Sequence, residues 1–314
     1  MRARIFAFAA AVLALAPQAA AGGTDWITGL PRRDIPVESW PGGRKVAVAF
    51  VLYVEVWGHG HGPNFRPDMS GRSPDLVDEG FREYAINFGL TRTARLFKEM
   101  GVPLSLALNA EFPTARPDVW RALRALVPAA PIVAHGLNNS TMLLPLAEGP
   151  AAQRAYIRRT LDLIEESTGV RATGWSSPSV YPDADTFQAT AAEGIRYTLD
   201  GMDSDLLSEL ATTPRPLLLV PYPPSVVDMG QYLSRFKEAE DLARLWTDYV
   251  GELAREAAAD PARPATVVAI GIHPFVVGTP AGAAALRRVL EALRANDQVW
   301  LADVEAVASA ADRH

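Results

Sequence analysis

Two histidines each close a short apolar run that then breaks at Gly or Pro. His135 ends the run 131–135 (PIVAH), and His273 ends the run 267–273 (VVAIGIH). Apolar runs of this length, bounded by turn residues, are typical of buried strands, and functional side chains on (β/α) barrels collect at the carboxyl ends of parallel strands. The sequence therefore predicts an active site at such a rim, with both imidazoles in it.

Further polar residues follow other predicted strands and are expected at the same rim. They are Glu55, Asn109, Ser176 and Asp200, with Asp203 and Asp205 just beyond. Glu55 follows the unbroken apolar run 46–54 and precedes Val56 and Trp57, so we expect burial to raise the pKa of this carboxylate. A carboxylate of raised pKa can act as a general base near neutral pH, and an imidazole can act as the general acid.

A metal site is the alternative chemistry for these residues. The chain has no cysteine, so a metal would need His, Asp or Glu ligands. Glu55 and His135 could be joined by His59 or His61 from a Gly-rich loop. Against this, the residue four positions after His135 is Asn139, and an amide binds zinc poorly while it orients a substrate well. We therefore expect no cofactor, with zinc as the alternative.

Composition limits the classes of partner and the number of domains. The chain has 314 residues, 49% of them hydrophobic, which suffices for one large α/β core. The 30 basic and 36 acidic residues give a net charge of −6 without a block of like charge, which argues against nucleic acid as a partner.

The first 21 residues have the pattern of a secretory signal peptide. A basic start (MRAR) precedes the apolar residues 5–15 and an A-x-A site, so cleavage is expected near Ala21. The mature protein is then expected in the periplasm or outside the cell, without a membrane anchor, because the apolar stretch before Pro17 is too short to span a bilayer.

Strand-like and helix-like segments alternate from Lys45 onward. The predicted strands are 45–54, 103–109, 131–135, 172–176, 195–200, 216–222, 265–273 and 298–302, and the predicted helices include 90–100, 117–126, 151–168, 183–193, 238–259 and 281–295. This alternation predicts an α/β fold, a (β/α) barrel that is complete or lacks one strand. Residues 22–44 are expected to be an extended lead-in to a single domain, 45–314, and residues 58–82 a long loop.

The order and spacing of several stretches resemble the polysaccharide deacetylase superfamily (NodB homology). Within it, the chain is similar to the branch that includes the metal-independent allantoinases, and the resemblance covers about residues 45–310. The stretches that carry it are 54–57 (VEVW), 135–140 (HGLNNS), 168–171 (TGVR), 174–178 (GWSSP), 220–223 (VPYP), 271–280 (GIHPFVVGTP) and 299–300 (VW).

The resemblance implies a distorted seven-stranded barrel and hydrolysis of non-peptide carbon–nitrogen bonds. Zinc-dependent members carry an Asp pair, two histidines, an Arg and a late histidine, of which only the late histidine matches directly, at His273. Here Glu55 stands without a second carboxylate, Asn139 replaces the second histidine and Ser176 replaces the Arg. The allantoinase-like branch also carries a later Asp pair, whose first position is Ser204 here.

These residues together predict an amide or N-acetyl hydrolase. Glu55 would be the base, with Asp205 as the rival, and His273 would protonate the leaving nitrogen. The residues expected to bind substrate are His135, Asn139, Trp175, Asp200, Asp203 and Tyr222. Two alternatives remain open: a zinc-dependent N-deacetylase of envelope polysaccharide, and a non-catalytic barrel that binds a glycan or small amide. A homo-oligomer is also left open.

Overall fold

The computed structural model describes residues 23–25, 27–62, 74–140, 148–180 and 182–311. The predicted signal peptide, 1–21, lies outside this part of the chain. Within it, no helix combines the length and apolar composition that a membrane span requires.

From residue 46 onward, the described chain alternates strands with helices, except that the three strands between residues 197 and 221 follow one another directly. The strands are β1 (Gly23–Thr24), β2 (Pro31–Asp34), β3 (Val46–Val54), β4 (Ser105–Leu108), β5 (Ile132–Ala134), β6 (Gly174–Trp175), β7 (Tyr197–Gly201), β8 (Ser208–Leu210), β9 (Leu217–Pro221), β10 (Thr266–Ile272) and β11 (Val299–Ala302). The α-helices are α1 (Leu76–Tyr84), α2 (Leu90–Met100), α3 (Phe112–Ala115), α4 (Pro117–Leu126), α5 (Pro150–Thr168), α6 (Ala184–Ala192), α7 (Asp228–Arg235), α8 (Ala239–Ala259), α9 (Pro280–Ala295) and α10 (Val304–Ala311).

Seven parallel strands form the barrel, in the order β9-β7-β6-β5-β4-β3-β10. β11 pairs with the first half of β3, and β4 pairs with its second half. The two ends of this strand order approach each other, since β10 contacts β9. The backbone N–H of Val267 in β10 donates to the carbonyl of Asp205, in the segment between β7 and β8, at 2.9 Å. The prediction of a (β/α) barrel is confirmed.

The strand β3 shows how the two faces of the barrel wall are filled. Alternate residues such as Phe50 and Leu52 pack in the cluster that includes the helices, while Val51 and Tyr53 point into a second cluster shared with inward residues of β7, β9 and β10. Every residue of β3 is buried. A strand buried on both faces is apolar throughout, which is why the run 46–54 shows no polar alternation. Tyr53 thus lies inside the barrel, one residue before its rim.

One region, the predicted loop, differs from the sequence prediction, and the predicted lead-in contains two strands. The predicted loop 58–82 contains part of α1, which Asp75 caps by accepting from the N–H of Val77 at 3.0 Å. Its apolar residues are exposed and its buried ones include Asp78, so its pattern is the reverse of an ordinary amphipathic helix. The lead-in 22–44 contributes β1 and β2, and β2 pairs with β8 and extends the sheet edge.

Candidate active site

Three predicted residues meet at the carboxyl ends of their strands. Glu55 follows β3, His135 follows β5 and His273 follows β10, and none of the three is more than 4% exposed. Oε1 of Glu55 lies 3.3 Å from Nε2 of His135 and 3.8 Å from Nε2 of His273. The strand ends therefore place one carboxylate against two imidazoles.

The orientation of His273 is fixed by Asp228, the first residue of α7. Oδ1 of Asp228 is 2.6 Å from Nδ1 of His273, and Oδ2 accepts from the backbone N–H of the same histidine at 2.6 Å. The carboxylate thus holds both the ring and the strand end, and it directs Nε2 toward Glu55. Sequence reasoning missed Asp228. The available signal was an aspartate directly after an apolar pair, Val226 and Val227, at the start of a short helix.

His135 is oriented by a backbone carbonyl. Its Nδ1 is 2.8 Å from the carbonyl oxygen of Ser176. Because a carbonyl oxygen only accepts, Nδ1 carries a hydrogen, and Nε2 donates only when the ring is protonated. Nε2 has no hydrogen-bond partner among the described residues, although it is buried and faces Glu55.

An amide network supports Glu55 from the other side. Nδ2 of Asn139 donates to Oε1 of Glu55, and Oδ1 of Asn139 accepts from Nδ2 of Asn109 at 3.1 Å. Asn109 also donates to the carbonyl of His135 at 2.5 Å and accepts from the N–H of Val56 at 2.9 Å. One buried amide after β4 therefore ties the ends of β3 and β5 together at the site.

The electrostatics shift the pKa values of Glu55 and His273 in opposite directions. Burial raises the pKa of Glu55, but the charge of His273, the close and charged ring of His135 and the hydrogen bond from Asn139 outweigh it, so the pKa is lowered. The predicted rise was wrong because the sequence did not show these partners. For His273, burial lowers the pKa, but the carboxylates of Asp228 and Glu55 outweigh it and raise the pKa above its ordinary value.

Two tyrosines form the floor beneath the histidines. The ring of Tyr53 stacks on His273 with 4.4 Å between centroids and meets His135 edge-on at 4.8 Å. Its hydroxyl donates to the hydroxyl of Tyr222 at 2.7 Å and lies 3.1 Å from Oγ of Ser176. Burial raises the pKa of both tyrosines, so both hydroxyls stay protonated at neutral pH. Tyr53 is a packing partner that restricts both imidazoles.

The histidines and Glu55 open into a cavity of about 330 Å³. Its polar side is formed by Glu55, His135, His273 and Asn139. Ser179, whose backbone is left-handed (φ 56°), also lines it. The remaining described lining is Tyr53, Met202, Tyr222, Pro224, Val227, Met229, Gly230, Leu233 and Ser234. Of the residues predicted to bind substrate, His135, Asn139 and Tyr222 line this cavity.

The structure places the predicted aspartates elsewhere. Asp200 accepts hydrogen bonds from Ser177 and Thr198, Asp203 forms a 2.8 Å ion pair with Arg32 of β2, and Asp205 accepts from the hydroxyl of Tyr249 at 3.1 Å. Asp200 and Asp203 line a separate cavity of about 230 Å³ with Arg32.

Trp175 is also away from the cavity. It is fully buried, and its indole N–H donates to Oγ of Ser177 at 3.0 Å. Trp175, which was expected to bind substrate, therefore packs within the barrel wall instead. Trp57 is half-buried and packs against the hydrophobic core.

The described residues do not fit a zinc site. His59 and His61, the proposed extra ligands, are not buried at the site, and Nδ1 of His59 lies 3.6 Å from Oε2 of Glu79. In the described ranges, no three His, Cys, Asp or Glu side chains are grouped so that they could hold a metal ion. Asn139 donates an N–H to the oxygen of Glu55 that faces both histidines, where a ligand would have to offer a lone pair.

The fold is shared with known proteins. No protein-family model matches the sequence, and no curated protein matches it either. A structure assigned as a polysaccharide deacetylase from Pseudomonas aeruginosa PAO1 has a TM-score of 0.75 at 25% identity, covering 89% of this chain and 95% of its own. The structure of Puue allantoinase has a TM-score of 0.72 at 26% identity, covering 87% and 92%. A third, assigned as a polysaccharide deacetylase from Mycobacterium smegmatis, has a TM-score of 0.71 at 24% identity, covering 88% and 93%.

Proposed function

We propose that this chain, whose structure confirms its resemblance to the polysaccharide deacetylase superfamily and to allantoinase, hydrolyses a non-peptide carbon–nitrogen bond in a small amide. The observation that carries the proposal is the pair formed by Glu55 and His273 on the polar side of the cavity. Glu55 has a lowered pKa and His273 a raised one, and Oε1 and Nε2 are 3.8 Å apart. Paired groups with separated pKa values are the usual arrangement of a base and an acid.

Glu55 acts as the base. Its Oε1 is held by Asn139, whereas Oε2 is buried and has no hydrogen-bond partner among the described residues. A buried oxygen without a partner is unfavourable unless water or a ligand binds it. Oε2 therefore takes a proton from the water molecule that attacks the amide carbonyl, and a carbon–oxygen bond forms.

His273 acts as the acid. Asp228 holds its Nδ1, so the proton on Nε2 is the one delivered to the leaving nitrogen as the carbon–nitrogen bond breaks. The products are a carboxylic acid and an amine, or both groups in one molecule if the substrate is cyclic. Glu55 then carries the proton taken from water, and transfer of this proton to Nε2 of His273, which lies 3.8 Å from the other carboxylate oxygen, Oε1, restores the starting state.

The carbonyl is held by the remaining polar groups. Asn139 uses one amide hydrogen on Glu55 and has a second to donate. Nε2 of His135 donates to the developing oxyanion when that ring is protonated, because its Nδ1 hydrogen is committed to the carbonyl of Ser176.

We propose that this reaction needs no cofactor, because the side chains around Glu55 do not fit a zinc site. We also propose that residues 1–21 direct export of the protein.

A substrate screen tests the proposal against its alternatives. Purified protein is incubated with small cyclic amides, linear amides and N-acetylglucosamine oligomers, and products are identified by mass spectrometry. We expect ring opening or amine release from small amides. His273→Ala should abolish this turnover and leave substrate binding intact. Deacetylation of the oligomers alone would favour the glycan enzyme, and binding without turnover by the wild type would identify a binding barrel.

A further inference from the structure

The cavity has a polar end and an apolar wall. Glu55 and His273 mark the polar end. The wall contains Met202 and the α7 residues Met229 and Leu233. α7 begins at Asp228, which touches His273, and an α-helix rises 1.5 Å per residue, so Leu233 lies about 7.5 Å further along the axis. A ligand that reacts at the polar end therefore extends along apolar side chains.

The wall side chains are open to the cavity. Met202, Met229 and Leu233 are all half-buried, so a ligand can cover surface that water now contacts. Burial of apolar surface gains affinity, and methionine adapts its shape to different substituents. The hydroxyl groups of Tyr53 and Tyr222 bond to each other, so these residues offer mainly their rings.

Charge at the polar end disfavours an anionic ligand. The carboxylates of Glu55 and Asp228 lie 3.8 Å and 2.6 Å from His273, and Glu55 also lies 3.3 Å from His135, so the two imidazoles already face two carboxylates. Among the described lining residues there is neither Lys nor Arg to pair with a further carboxylate. A negatively charged substituent would face an uncompensated repulsion in a buried site.

We infer that the substrate is an uncharged amide that carries a branched or aromatic apolar substituent, with its reacting bond at Glu55 and His273 and its substituent against Met202, Met229 and Leu233. This inference rests on the proposed function for the identity of the reacting bond. The preference for the substituent is a property of binding and can be measured without turnover.

Calorimetric titration with graded hydantoins tests the inference. The probes are hydantoin and its 5-methyl, 5-isopropyl and 5-isobutyl derivatives, with anionic hydantoin-5-acetic acid as the charged comparison. We expect Kd to fall about fourfold for each buried methylene, from roughly 0.8 kcal/mol per CH₂, and the acid to bind more weakly than the methyl compound. Equal affinity across the series, absence of binding by every member, or tightest binding of the acid would overturn the inference.

Two substitutions in the apolar wall test whether its side chains cause the dependence of Kd on substituent size. Leu233→Asn and Met202→Gln should flatten the dependence of Kd on substituent size. Leu76→Asn, which makes the same change at a side chain 71% exposed and outside the cavity lining, should leave the dependence unchanged. A slope that persists in both wall variants contradicts the assignment. Product analysis on the same samples separates the claims, because a preserved binding slope without ring opening would refute the proposed hydrolysis alone.

Discussion

The pKa shifts of Glu55 and His273 predict how the activity depends on pH. Activity needs Glu55 ionised, and since its pKa is lowered, this requirement fails only as pH falls below the ordinary value of 4.5. Activity also needs His273 protonated, and since its pKa is raised, this requirement fails as pH rises through a value above 6.5. The profile of kcat/KM should therefore be a broad bell with a plateau that extends from about the ordinary pKa of a glutamate to that of a histidine. An alkaline limb centred below pH 6.5 would contradict the assignment.

Asp228 should control the alkaline limb of that profile. In Asp228→Asn the charge that raises the pKa of His273 is lost, so the limb should move to lower pH. The reduction in kcat at the optimum should be about 10²- to 10⁴-fold, with a much smaller change in KM. Asp205→Asn is the matched control, because Asp205 bonds Tyr249 instead. If both variants behave alike, Asp228 is not the positioning residue.

At the residue scale, the sequence located the catalytic candidates better than their partners. Glu55, His135 and His273 could be predicted because each ends an apolar run, and strand ends converge in a barrel. Asp228 could not, because its contact with His273 spans 45 positions of chain and depends on where α7 packs. Asp205 was predicted wrongly: it lies close to a strand end in the sequence, but in the structure its carboxylate bonds to Tyr249 and does not line the cavity.

At the element scale, buried strands were the most predictable features. Each of the eight predicted strands has a counterpart in the structure, and α2 and α4 have the predicted bounds. The short helix α7 was missed because it spans only eight residues and contains Gly230, and so short a segment with a poor helix former does not predict a helix by itself. The missed helix matters, because it supplies both Asp228 and much of the apolar wall.

The close contact between β10 and the tyrosine floor can be tested at Gly271. A Cβ there would overlap the hydroxyl oxygen of Tyr222 and lie 3.0 Å from the ring of Tyr53. Gly271→Ala should destabilise the fold by about 1–3 kcal/mol in urea unfolding and reduce kcat, since Tyr53 stacks on His273.

Gly251 provides the matched control for that substitution. It lies inside α8, and apart from its chain neighbours and the backbone of its own helix, no atom of the described residues lies within 4 Å of the position that an alanine methyl group would take. Gly251→Ala should therefore stabilise the protein by up to about 1 kcal/mol and leave kcat unchanged. A neutral effect of Gly271→Ala would show that the floor is loosely packed and that Tyr53 does not restrict the histidines.

At the scale of the whole molecule, the barrel gathers the proposed acid, the proposed base and an apolar wall into a single cavity. Strands β3, β5 and β10 supply the polar groups, while α7 and the loop after β7 supply the apolar ones. The division explains how a seven-stranded barrel with changed motifs can keep hydrolytic chemistry. The resemblance implies that Asn139 replaces a metal-ligating histidine of the zinc enzymes, and in the structure its amide donates a hydrogen bond to Glu55, the proposed base.

The most direct test is turnover of a small amide by protein dialysed against a chelator, with metal content measured on the same sample and Glu55→Gln assayed in parallel. We predict that the metal-free wild type retains its full kcat, and that Glu55→Gln loses about 10²- to 10⁴-fold while remaining folded. Activity that disappears with the metal and returns with zinc, or an active Glu55→Gln variant, would contradict this mechanism.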